Sequence, residues 1–169
     1  MSSNPYVKWL SLARRFRATV KVHSGGHMVG NDGRRSAMAS SLIDALGSEK
    51  GGLTLLKLLA DNSFDSIVVT DASAQGRIIY ANKAFKKLTG HDPADVIGKD
   101  PRLLQGPGTD RKVIDRIAAA LKAGGRFEGR AVNYKKDGTP FIMNWRMFPL
   151  KEAGKIIAWV AIQREAISA

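Results

Sequence analysis

The stretch GKDPRLLQGPGTD, from Gly98 to Asp110, breaks the periodic patterns on either side of it. Its glycines, prolines and aspartates predict irregular backbone over 98–109. Directly after it, Val113, Ile114, Ile117, Ala118 and Leu121 recur at helical period, so a helix is expected over Asp110–Ala123, stopped by Gly124-Gly125. Directly before it, Asp92–Ile97 reads as a short capped helix ending at Gly98, and Asn82–Thr89 as a helix ending at Gly90. Further upstream, SIVVTD (Ser66–Asp71) and RIIYA (Arg77–Ala81) are β-branched runs joined by a Gly-bearing turn, a hairpin signal. Downstream, three longer strands are expected over 126–136, 139–150 and 155–165. Lys136-Asp137-Gly138 forms an Asp-Gly turn between the first two, and a turn around Gly154 joins the last two. The order ββ, short helices, βββ predicts an α+β fold: an antiparallel sheet with its helices gathered on one side.

The whole chain has 169 residues, a formal charge of +12 and no cysteine. That length suits one domain with extensions and a substantial core. With 44% hydrophobic and 25% charged residues, the composition is that of a globular protein. Without cysteine there is no disulfide framework, no thiolate metal site and no thiol nucleophile. No apolar run reaches the ~18 residues of a membrane span, which predicts a soluble protein, placed in the cytoplasm. The positive charge is compatible with nucleic acid or an anionic membrane, but no motif supports either partner. His23, His27 and His91 stand alone, and no acid–base carboxylate pair is visible, so the chain reads as a non-enzyme.

Residues 1–35 are expected to hold a basic helix (Tyr6, Trp9, Leu10, Ala13, Phe16 and Val20 on one face) and a Gly-rich linker. Residues 36–62 form a helical cap: one helix over Ser36–Leu46, an interruption at Gly47, Gly51 and Gly52, and a second helix carrying Leu53, Leu55, Leu56, Leu58 and Leu59. Apolar nearly all round, that second helix is expected between a sheet and a second subunit, building a homodimer. The main domain spans 63–165, followed by a tail, 166–169.

Asn82-Lys-Ala-Phe85, Leu88-Thr-Gly90, GKDPRLLQGPGTD, NYKKDGTPF (Asn133–Phe141) and Ile162-Gln163 together resemble the PAS superfamily, and within it the flavin-binding light-oxygen-voltage (LOV) group. The resemblance implies a five-stranded PAS sheet, a sensory role and a flavin, FMN first and FAD or riboflavin next. It also implies site residues. Arg102 would bind the ribityl phosphate and Gln105 the phosphate or ring edge. Asn133 would pair with the pyrimidine, Gln163 would face the ring N5 and O4, and Asn82 joins them as a cofactor-binding residue or as a helix cap.

The departures bear on chemistry. The LOV signature GxNCRFLQGxxTD carries a cysteine that bonds the flavin under light; here its position is Pro101, which has no nucleophile. Asp100 replaces the preceding Asn, Ile142-Met143 replaces a Trp-Asn pair, Ala118 replaces a phosphate-binding Arg, and Trp145 replaces a smaller residue. Arg111 and Lys122 are the nearest basic substitutes for the one at 118. The implied mode of action is therefore flavin photoreduction or redox change without a cysteinyl adduct. A protonation change at N5 would reverse the Gln163 hydrogen bond and pass through the sheet to the N-terminal helices and an unknown regulatory partner. With no output domain after Ala169, that partner is expected to be a protein.

Strand parity is an independent argument, because residues two apart share a face. It groups Phe127, Gly129, Ala131 and Asn133; Met143, Trp145 and Met147; and Ile157, Trp159, Ala161 and Gln163. If these faces line a pocket, two amides enter an apolar space. Three bland readings stand beside this one: Arg102 pairs with Asp100 or Asp110, the amides bond backbone, and Trp145 with Met143 fills the core. Together those describe a cofactor-free PAS module for dimerisation or docking.

Overall fold

The computed structural model describes Asp44 and residues 48–166. The expected basic helix, linker and first cap helix fall almost wholly outside the described residues. Among the described residues the first helix with a full range, α1, spans Glu49–Asp61, and Ser48 caps it by accepting from the Gly51 N–H at 3.0 Å. Gly51 and Gly52, expected as an interruption, thus lie in its first turn, where the cap holds the backbone.

Among the described residues five strands follow the expected order: β1 (Ser66–Asp71), β2 (Ile78–Ala81), β3 (Phe127–Tyr134), β4 (Pro140–Glu152) and β5 (Lys155–Glu165). All pair antiparallel in the order β2-β1-β5-β4-β3, so the last strand lies at the centre. Between β2 and β3 come α2 (Lys83–Thr89), α3 (Pro93–Val96) and α4 (Arg111–Lys122). Asn82, Asp92 and Asp110 cap the three through their side-chain oxygens, and Gly90 ends α2 in the left-handed region at φ 76°. The stretch 98–109 is not wholly irregular. Pro101–Leu104 makes one 3-10 turn, with Asp100 as its cap and Pro101 at its first position, where no N–H is needed.

One face of the sheet carries the core. Val68, Phe127, Ala131, Phe141, Met143 and Trp145 pack with Ile78, Phe85, Val96 and Leu104 from β2, the helices and the 3-10 turn. The grouping from strand parity holds for most of its members: Phe127, Ala131, Asn133, Met143, Trp145, Trp159, Ala161 and Gln163 are buried, Gly129, Met147 and Ile157 are half-buried, and Ala158 is buried at the opposite parity. Among the described residues no helix is long and apolar enough to cross a membrane.

Candidate functional site

A cavity of about 620 Å³ opens between this sheet face, the 3-10 turn and α4. Two of its lining residues, Trp145 and Gln163, belong to one cross-strand row. Gly129, Trp145, Gln163 and Ser66 are successive register partners across β3, β4, β5 and β1. Phe127 leans over Gly129, where a Cβ would lie 2.6 Å from its ring. The Phe127 and Trp145 rings meet at 6.0 Å and 37°. Trp145 and Met143 are therefore walls of the cavity and leave it open.

Gln163 is fixed at one end. Ser66 donates its hydroxyl to Gln163 Oε1 at 3.1 Å in a buried contact. Among the described residues Gln163 Nε2 has no protein partner. Asn133, also buried, donates Nδ2 to the Ala131 carbonyl at a long 3.3 Å. Gln105 ends the 3-10 turn and borders the cavity, its side-chain amide unbonded among the described residues. Among the described residues no buried side-chain nitrogen or oxygen is left without a partner, so the unbonded ends of these amides open onto the cavity, and three amides around one apolar space suit a ligand with in-plane donors and acceptors.

The loop carrying Gln105 is clamped to β3. Gly108 N–H donates to the Tyr134 hydroxyl at 2.7 Å, and Thr109 Oγ1 donates to the Val132 carbonyl at 2.8 Å while accepting from Gly106 N–H. The Tyr134 ring lies where side chains at Gly106 and Gly108 would be, which is why the sequence reads GPG here. This clamp brings Gln105 to the same cavity as Asn133.

The mouth carries Asp71, Asp100, Arg102 and Lys122. Arg102 Nε donates to both Asp100 oxygens at 2.9 and 3.0 Å, and Nη2 joins them. The same carboxylate accepts from Arg102 backbone N–H at 2.9 Å. Those side-chain hydrogen bonds hold the Asp100 carboxyl below the usual range and raise the guanidinium in turn. Lys122 reaches the cavity mouth, whereas Arg111 is absent from its lining and lies 4.0 Å from Asp115.

Arg102, Gln105, Asn133 and Gln163 thus surround one cavity, and Pro101 and Ala118 join its lining. Asn82 does not. Fully buried, it accepts from Ile67 and Phe85 N–H and donates to the Ala60 and Asp65 carbonyls at 2.7 and 2.9 Å. All its polar capacity serves the chain, so it ties α1, β1 and α2 together and has none to offer a ligand. Ser66 escaped the sequence reading, although its parity with Val68 and Thr70 puts it on the cavity face. Tyr134 had no local signal, since its partners lie 26 and 28 positions away.

A family model of the PAS domain matches residues 65–166, most of the described sheet and helices. The chain belongs to the PAS domain family. This PAS domain is also of the LOV group. It is 31% identical to the solved LOV domain of a blue-light-activated histidine kinase from Erythrobacter litoralis, covering 60% of this chain and 94% of that one with a TM-score of 0.57. It is 40% identical over 102 residues to phototropin-2 of Oryza sativa subsp. japonica, 59% of this chain but 11% of that protein. A blue-light-activated histidine kinase of Brucella anthropi is 45% identical over 87 residues, 51% of this chain and 18% of the kinase. This PAS domain therefore spans between about a tenth and a fifth of those two relatives.

Proposed function

We propose that this LOV-type PAS domain is a sensory module that holds a flavin non-covalently in the 620 Å³ cavity. The observation that carries the reading is the ring of amides, Gln105, Asn133 and Gln163, around an apolar space that Trp145 and Met143 leave open. A bound flavin supplies a blue-absorbing chromophore and redox chemistry. The chain's part is to bind, orient and respond. Trp145, Met143, Ile117 and Leu121 enclose a flat ring, and Asn133 and Gln105 orient its polar edge. With Pro101 at the 3-10 turn and no cysteine anywhere, the chain offers no thiol for a covalent adduct.

Gln163 transmits the response. With Oε1 held by Ser66, its amide presents Nε2 to a ligand. Turning the amide over breaks the Ser66 bond and brings an N–H donor to that hydroxyl instead. Ser66 opens β1, and the Asn82 network ties the start of β1 to the end of α1. The turn therefore reaches α1, whose Leu56, Leu58 and Leu59 are each about 60% exposed. A second copy of the chain covers that helix, so the response alters a dimer and, through it, a regulatory partner.

Purified protein is tested by absorption after incubation with FMN, FAD and riboflavin. A structured blue band that co-elutes with the chain and is released on denaturation supports the reading. Protein that stays colourless overturns it in favour of a cofactor-free docking module. For the dimer, Leu56→Glu with Leu59→Glu should convert the species seen by light scattering from dimer to monomer, and a wild-type chain that is already monomeric rejects it.

A further inference from the structure

The cavity mouth holds four charged groups, and their balance decides what kind of ligand tail it admits. Asp71, Asp100, Arg102 and Lys122 all line it, two of each sign, and Arg102 pairs with Asp100. Neither aspartate is a bystander to the backbone. Asp71 Oδ1 accepts from the Ser73 and Arg77 N–H groups, and Asp100 caps the 3-10 turn through Arg102 N–H. Both carboxylates are therefore fixed at the mouth and cannot swing away from an arriving anion. Arg102 is half of a chelate: its Nε and Nη2 are taken by Asp100, while its side chain remains 70% exposed.

We infer that Asp100 is a specificity residue that neutralises Arg102 and makes the site indifferent to a phosphate on the ligand. This rests on the flavin reading above and sharpens it: the neutral flavin, riboflavin, is taken about as well as FMN. A phosphate at the mouth gains attraction from Arg102 but meets the repulsion of a carboxylate held against that same guanidinium. To use the cation fully it would have to displace a bidentate, charge-assisted contact. The low-lying carboxyl of Asp100 is the same contact seen from the other side. Asn at this position would keep the cap, since its side-chain oxygen accepts from the same N–H, while removing the charge.

The test titrates riboflavin and FMN into the full chain, wild type and Asp100→Asn, following quenching of flavin fluorescence. In the wild type the two dissociation constants should agree within about threefold, and raising salt should change their ratio little. In Asp100→Asn, FMN should bind about tenfold tighter with riboflavin unchanged, the order expected for removing one like charge at a solvent-screened rim. Adding Arg102→Gln to that variant should abolish the gain. A wild type that already prefers FMN by more than about thirtyfold, or an Asp100→Asn ratio equal to the wild-type one, overturns the inference and leaves the flavin site standing. Binding of neither flavin to either protein overturns the flavin reading and this inference with it.

Discussion

Replacing Gly106 with Ala tests the clamp that carries Gln105. Gly106 does not occupy the left-handed region, so the added methyl brings no backbone strain of its own. Its Cβ would stand 2.4 Å from Cδ2 and Cε2 of Tyr134 and 3.0 Å from Cγ, about 1 Å inside ordinary contact. The ring cannot simply slide away, because its hydroxyl accepts from Gly108 N–H at 2.7 Å. Overpacking of this kind costs about 1–3 kcal/mol. Losing the Gly108 bond adds about 0.5–1.5 kcal/mol. Against both, Ala stiffens the unfolded chain, worth about 0.4–1 kcal/mol. The net expectation is a loss of about 2 kcal/mol, seen in urea as a midpoint lowered by about 1 M at a slope near 2 kcal/mol/M. Tyr134→Ala removes the opposing atoms, so in that background Gly106→Ala should be neutral or slightly stabilising. A cost for Gly106→Ala that is the same in both backgrounds would refute the steric argument.

Gln163→Leu leaves the buried Ser66 hydroxyl without its acceptor; it should blunt any flavin-dependent change in protease sensitivity around α1, and an unchanged response rejects the relay. Ala153 sits at φ 46° beside Gly154 at φ 78° in the β4–β5 turn. Ala153→Gly relieves a strain of about 1 kcal/mol and should raise the melting temperature by a few degrees, whereas a fall would show the turn is not strained. His91 is pushed below its ordinary 6.5 by burial and by Lys136 and Lys99. The depression means that folding favours the neutral ring over the charged one. Its contribution is present above about pH 6.5 and is lost as pH falls through the lower folded value. His91→Gln should therefore flatten stability between pH 7 and 5, and an unaltered slope would assign the acid loss elsewhere.

The sheet and its pocket-facing side were legible because burial imposes a two-residue period. Phe127, Ala131 and Asn133 alternate with exposed Glu128 and Arg130, and no other register buries them. The caps were legible because Asn82, Asp92 and Asp110 act within three residues of themselves. What escaped is non-local. Ser66 meets Gln163 from 97 positions away, and Tyr134 dictates two glycines in a loop of another element. Helix α1 misled in a different way. Its paired glycines look like a break, yet a serine cap one turn earlier carries the helix through them.

The last of the five described strands in chain order lies in the middle of the sheet. Until β5 is available, the β1–β2 hairpin and the β3–β4 hairpin have no hydrogen-bonded partner in common. A nascent chain emerging from the ribosome can assemble the hairpins and helices, but it cannot join the two halves until residues 155–165 are free to insert. Such closure between distant segments slows folding and leaves two strand edges open meanwhile. Gln163 lies near the end of that closing strand, so the pocket and its switch are completed in the same late step, and a chain ending at Ile162 would have neither Gln163 nor the acceptor that Ser66 bonds.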